Sequence, residues 1–212
     1  MRTHRQKTLT EQLPDHMFHR QDDSADEAFY SSPRMVNHID DATINEITRF
    51  YQETLKPEDE LLDLMSSWVS HLPKDVTYRK VTGLGMNLDE LNANARLDQV
   101  LVHNLNKTPA LPFSDTSFNA VMIVVSIQYL IRPFEVFEEI QRVLKPGGRC
   151  IISMSHRLFP TKAIYAFQTL APKDRVQLVK EYMRQGGLSE IEFIDRSPDK
   201  ADPLWIIQGI SS

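Results

Sequence analysis

Apolar positions in this chain fall into short continuous runs bounded by turn clusters, with helical repeats between them. The run NAVMIVVS (119–126) follows LPFSDTSF (111–118), a proline and Ser/Asp/Thr cluster. A run of that length predicts a strand buried on both faces, the kind that parallel sheets contain. After IQYLIR, Pro133 stands where a proline can open a helix, because the first helical turn has no use for the missing N–H. Phe134, Phe137, Ile140, Val143 and Leu144 then recur at helical spacing. KPGG (145–148) stops that helix, and RCIISMS (149–155) predicts a second buried strand. Strand, helix and strand with short links form a right-handed crossover unit of a doubly wound sheet.

The remaining segments extend that unit in both directions. Residues 1–27 are polar with no clear period and read as an N-terminal extension to a domain spanning 28–212. Ile44, Ile47, Phe50, Tyr51 and Leu55 predict a helix capped by Asp40 or Asp41. Strands are predicted at LLDLM (61–65), around Lys80–Leu84, and at QVLVHNL (99–105). Between the last two, NLDELNANARL (87–97) reads as a helix with Asn87 as cap and Leu88, Leu91 and Ala95 inward. Beyond the central unit, LFPTKAIYAFQTLAP (158–172) and KDRVQLVKEYMRQ (173–185) read as helices, the second ended by Gly186 and Gly187 in the left-handed conformation. SEIEFID (189–195) and PLWIIQGI (203–210) then predict an antiparallel pair at a sheet edge. The expected fold class is α/β, a doubly wound, seven-stranded, mostly parallel sheet.

Composition narrows the function classes. The chain has 212 residues, 41% of them hydrophobic and 25% charged, which suits one globular domain. A formal charge of -5 disfavours a nucleic-acid partner, and no apolar stretch has the length of a membrane span. The single cysteine, Cys150, falls in a predicted buried strand and permits no intrachain disulfide, and a cytoplasmic location is expected. The basic start MRTHRQK leads into no apolar core, so no secretory signal is expected. Seven histidines without metal-site spacing predict no metal, and a Gly-x-Ser-x-Gly nucleophile elbow is absent.

LPFSDTSFNAV, the helix after it and LKPGGR resemble the later motifs of the class I S-adenosylmethionine-dependent methyltransferases, in particular the small, type 11-like kind. The resemblance implies a Rossmann-like fold with the last strand antiparallel, and S-adenosyl-L-methionine as cofactor at the carboxyl ends of the strands. Carried onto this chain, it assigns cofactor contacts to Tyr30, Asp63, Leu64, Ser66, Ser67, Trp68, Gly85, Met86, Asn87, Asn104, Leu105, Val125 and Ser126. Three positions depart from the family pattern. No glycine precedes Gly83, so serines, a methionine and a tryptophan stand where the family has a glycine-rich turn after strand one. Gly85 stands where an acid usually binds both ribose hydroxyls, leaving Asn87 or a water to substitute. Asn119 replaces the aspartate of the family's SFD sequence. Three readings of the loop stay open: a different path that still binds cofactor through Ser66 and Ser67, a related ligand, or a closed pocket. A narrower resemblance runs from roughly residue 26 to 210. It is to cyanobacterial and plant methyltransferase-like proteins sharing this glycine-poor motif, which makes the loop a family trait.

The activity implied is methyl transfer to a small-molecule acceptor, with neither nucleic acid nor membrane as partner and no signal for an oligomeric state. Methyl transfer needs alignment more than acid–base machinery, but a base helps a hydroxyl or ammonium acceptor. Catalytic candidates are His38, His71, Tyr129 and His156, with Tyr30 and Arg157 as further substrate contacts; each histidine also has an ordinary structural reading. Segment 28–40, with Phe29, Tyr30, Arg34, His38 and Asp40, reads either as a lid over the cofactor or as simple packing. The alternative function is a non-catalytic, methyltransferase-like binding or scaffold protein. A nucleotide-dependent oxidoreductase ranks third, because Gly83-Leu84-Gly85 is too short for a dinucleotide fingerprint.

Overall fold

Strand β1 (Glu60–Leu64) shows why the sheet is central. Successive side chains of a strand point to opposite faces, and here both faces are covered: Leu62 and Leu64 join one apolar cluster while Leu61 joins another. The same alternation runs through β4 (Phe118–Val124), where Val121 and Ile123 face one cluster and Ala120 and Met122 the other. The protein was described from a computed structural model covering residues 14–212. With β2 (Lys80–Gly85), β3 (Gln99–Val102), β5 (Leu144–Met154), β6 (Ser189–Asp195) and β7 (Trp205–Ile210), these strands form one seven-stranded sheet of order β3-β2-β1-β4-β5-β7-β6. Neighbours from β3 to β5 pair in parallel, whereas β7 is antiparallel to both β5 and β6. The chain order reverses between β1 and β4, and ligands of doubly wound sheets lie outside the carboxyl ends at such a switch point.

Among the described residues, six α-helices accompany the sheet: α1 (Asp26–Phe29), α2 (Asp41–Thr54), α3 (Leu88–Ala93), α4 (Pro133–Val143), α5 (Tyr165–Thr169) and α6 (Pro172–Gln185). Helix α2 buries Ile47, Phe50 and Tyr51 against one face, and α4 buries Val136, Phe137 and Ile140 against the other. Of the two expected caps, Asp40 is the one that accepts from the Thr43 amide.

Several expectations need correction. Helix α3 is shorter than 87–97, and of its three inward candidates only Leu91 is buried, while Leu88 is half exposed and Ala95 is exposed. The reason is polar: Asn94 turns inward to donate to Ser67 O and Ser70 Oγ, which ends the helix. Residues 158–172 hold only the short α5. KPGG is part of β5, with the pairing to β4 shifting between Phe118 and Ala120. At the end of α6 it is Gly187 that has positive φ, 92°, while Gly186 is right-handed. Within the described part of the expected extension, Met17 is buried in the larger cluster and Arg20 bridges to Ile164. Residues 1–13 of the expected extension lie outside the described residues.

Candidate functional site

A cavity of about 420 Å³ opens at the carboxyl ends of β1, β2 and β4, within the size range of small-molecule sites. Its floor is the stretch after β1. Met65 and His71, at either end of this loop, both have positive φ (54° and 55°), and Val125, after β4, has φ 46°. All three line the cavity. A side chain in that conformation costs about 1–2 kcal/mol, and for a β-branched valine it is a clear outlier. Backbone strain of this kind concentrates at ligand-binding sites.

Side chains of this loop hold the shape that a glycine-rich turn would otherwise permit. Asp63 is 2% exposed, and its Oδ2 accepts from Ser66 Oγ at 2.7 Å and Ser70 Oγ at 2.6 Å. Burial pushes the Asp63 carboxyl up to about 6, against the pull of the Ser70 and Ser66 hydroxyls. Asn94 extends the network through Ser70 Oγ and Ser67 O. Ser66 N donates to Leu84 O, bringing the loop directly over the end of β2. A Cβ on Gly85 would lie 2.2 Å from Ser66 O. The glycine at this position therefore has a steric cause: the serine loop occupies the space an acidic side chain would need.

Segment 26–38 closes the cavity from above. Glu90 joins segment and floor, accepting from Arg34 N at 2.7 Å and from Ser67 Oγ at 2.6 Å. Asn87 caps α3 by accepting from Glu90 N and donates to Tyr30 O at 2.9 Å. Trp68 Nε1 donates to Val36 O at 3.1 Å. Trp68 is thus a tie between loop and lid. Asn106 donates to Asp26 Oδ2 and Tyr129 O and accepts from Ile131 N, which links α1 to the loop after β4.

Tyr30, His38, Asp63, Ser66, Ser67, Trp68, His71, Gly85, Met86, Asn87, Asn104, Leu105, Val125, Ser126 and Tyr129 all line the cavity. Leu64 lies beneath it in the core. His156 is exposed on the loop after β5, with Nε2 3.4 Å from Asp202, and is not among the lining residues. Asn104 is engaged locally: its Oδ1 accepts from the Asn106 and Lys107 amides and its Nδ2 donates to Glu27. Tyr129 Oη accepts from Phe159 N at 2.8 Å. Burial holds His71 down at about 4, and burial, then the Arg34 charge, lowers His38 against an opposing effect of Glu90. Both rings are neutral near pH 7. Among the described residues no cluster of His, Cys, Asp or Glu suits a metal ion.

Sequence reasoning missed Glu90, Asn94, Asn106 and Phe159. Asn87 and Glu90 have capping-box spacing, which conceals that the Glu90 carboxylate reaches across to Arg34 and Ser67 instead of back to its own helix. Nothing local marks the other three.

Residues 66–152, from the loop after β1 into β5, match the family model described as "Methyltransferase domain". The fold is that of a class I methyltransferase. A demethylmenaquinone methyltransferase of Renibacterium salmoninarum is 32% identical over 87 residues, 40% of this chain and 37% of that protein. The chain spans 37% or less of the length of the first curated relatives it matches. Among solved structures, the [4+2]-cyclase SpnF superposes with a TM-score of 0.60 at 18% identity, covering 79% of this chain and 80% of that one. The phosphoethanolamine N-methyltransferase 2 of Haemonchus contortus, in complex with S-adenosyl-L-methionine, superposes with a TM-score of 0.57 at 16% identity, covering 80% and 52%. Likeness at that identity establishes the fold, which hosts more than one chemistry. Among the described residues, no helix is long and apolar enough to cross a membrane.

Proposed function

We propose that the protein is an S-adenosylmethionine-dependent methyltransferase acting on a small molecule. The observation that carries this reading is the charge of the cavity floor. The carboxylates of Asp63 and Glu90 both line it, each accepting only from hydroxyl or amide donors, with no cationic partner among the described residues. A buried carboxylate without a cation favours a ligand that brings positive charge, and the donor set therefore fits the sulfonium and ammonium of this cofactor. Ser126 adds a buried hydroxyl without a partner on the cavity wall. The methyltransferase-domain match begins at this floor. The resemblance to cyanobacterial and plant proteins with the same glycine-poor motif supports a built site over a damaged one.

Asp63, Glu90, Ser66 and Ser67 would hold the cofactor, with Met86 and Leu105 as apolar walls. Bound there, the cofactor would supply a methyl group activated by its sulfonium, the carbon–sulfur bonding pair remaining on sulfur when the acceptor's lone pair takes the methyl. Asn87, Glu90 and Trp68 tie segment 26–38 to the cavity floor and so fix its position beside a bound acceptor. His38, neutral near pH 7, takes the proton of a hydroxyl or ammonium acceptor. The relative's name, demethylmenaquinone methyltransferase, supports an acceptor with a flat ring.

The second reading, a non-catalytic binding protein, draws on Gly85 and on the Asn87 amide, which is already committed to the lid, because neither offers the ribose a bidentate acceptor. Calorimetric titration with S-adenosylmethionine and S-adenosylhomocysteine, with NAD as control, separates the two. Saturable binding that weakens at least about tenfold in Glu90→Gln, about the loss of one charge-assisted contact, is expected. No binding at millimolar ligand from folded protein would leave the scaffold reading.

A further inference from the structure

The segment facing the floor brings a cation, Arg34, while its own lining acid, Asp26, is already paired with Arg20 and Lys162. Arg34 lines the cavity, half-buried, and among the described residues no carboxylate lies within 4 Å of its guanidinium. The other lining arginine, Arg157, pairs with Asp202 at 3.0 Å. Of the five N–H donors of a guanidinium, Arg34 uses two, in a bond to Phe29 O at 2.9 Å and a long one to Ser32 O at 3.4 Å. The group is held flat by rings instead: Cζ lies 4.4 Å from the centroid of Phe29 and 5.7 Å from that of Phe159. His38 packs edge-on against the same Phe159 ring at 5.1 Å, and Tyr129 stacks on it at 5.8 Å and 27°. A cation with free donors and the neutral base thus share one aromatic surface.

We infer that Arg34 is the anion-binding residue of the acceptor site, and that the acceptor is a flat ring bearing a carboxylate paired with Arg34, its nucleophilic group turned toward His38. This rests on the methyltransferase reading and names its substrate class. A planar guanidinium fork matches a carboxylate bidentately, and a half-buried charge set on rings discriminates against a neutral analogue whose binding leaves the donors unpaired. It also assigns the two charges of the cavity to two ligands: the acidic floor to the cationic cofactor and the Arg34 guanidinium to an anionic acceptor.

The test uses protein saturated with S-adenosylhomocysteine, titrated calorimetrically with 2-hydroxybenzoate and 1-hydroxy-2-naphthoate and with the carboxamide of each. At least one acid is expected to bind ten or more times more tightly than its amide. Arg34→Gln should erase that gap while leaving S-adenosylhomocysteine affinity within about twofold, and Arg34→Lys should keep part of it, since charge remains and the fork is lost. Equal affinity of acid and amide in the wild type, no binding of any of the four, or a gap that survives in Arg34→Gln overturns the inference. If Arg34→Gln does not fold, the acid–amide comparison in wild type and Arg34→Lys decides. Failure of S-adenosylhomocysteine itself to bind strikes the methyltransferase reading; the same titrations on free protein then decide the anion site separately.

Discussion

Asp63 shows how a single side chain sets both stability and chemistry at this site. Its position was legible from the sequence, because an acid ends strand one in the resembling family, but its partners Ser66 and Ser70 are set by the path of the loop. With the folded carboxyl titrating near 6 instead of 3.8, the fold prefers the proton. Stability from this residue is therefore full below about pH 4 and is lost as pH rises through 6. Asp63→Asn imitates the protonated form. It is expected to raise stability at pH 8 by on the order of 2–3 kcal/mol and to do little at pH 4, while weakening S-adenosylhomocysteine. Urea unfolding at the two pH values checks the first part and calorimetry the second. A variant that is less stable at pH 8 would contradict this account of the carboxyl.

At the scale of elements, the strand ends and the loop after β1 exchange conformational roles. The expected glycine turn is absent, yet left-handed backbone appears there at Met65 and His71, and the requirement for a missing Cβ has moved to Gly85 on the neighbouring strand. Gly85→Ala puts a methyl 2.2 Å from the Ser66 carbonyl, where backbone must shift. A loss of about 1–3 kcal/mol is expected, as for other overpacked sites, together with weaker cofactor binding. A chemical-denaturation midpoint unchanged from wild type would show that the loop relaxes freely. Six of the seven strands were legible to within three residues because both faces of the sheet are covered, whereas β5 begins five residues before its expected start. The helical reading of 158–172 failed for a nonlocal reason: Phe159 N is taken by Tyr129 Oη and Ile164 N by Gln128 O, so long-range partners override local periodicity.

Across the whole molecule, the N-terminal segment is clasped to the segment after β5 by a buried cation. Lys162 is fully buried, donates to Ser24 O at 2.7 Å, and lies 3.3 Å from Asp22 and 3.6 Å from Asp26. Arg20 pairs with Asp26 from the other side at 2.6 Å. Because Asp26 and Tyr30 line the cavity, this clasp positions the lid. Lys162→Met removes one partner of a buried ion pair and is expected to cost about 3–5 kcal/mol, with faster tryptic cleavage after Arg20 and Arg34. Unaltered cleavage there would mean that other contacts hold the segment.

Apolar runs and turn clusters by themselves determined the α/β class, the seven strands and the sheet edge at which the cavity opens, because burial on two faces leaves a periodic trace in the chain. Tertiary structure decided which polar groups meet at that edge. Glu90 joins Arg34 and Ser67 across separations of 56 and 23 residues, and Asn106 reaches Asp26 across 80. Such pairings have no local period. They arise because a parallel sheet gathers the ends of distant strands into one place, where each buried donor must find an acceptor.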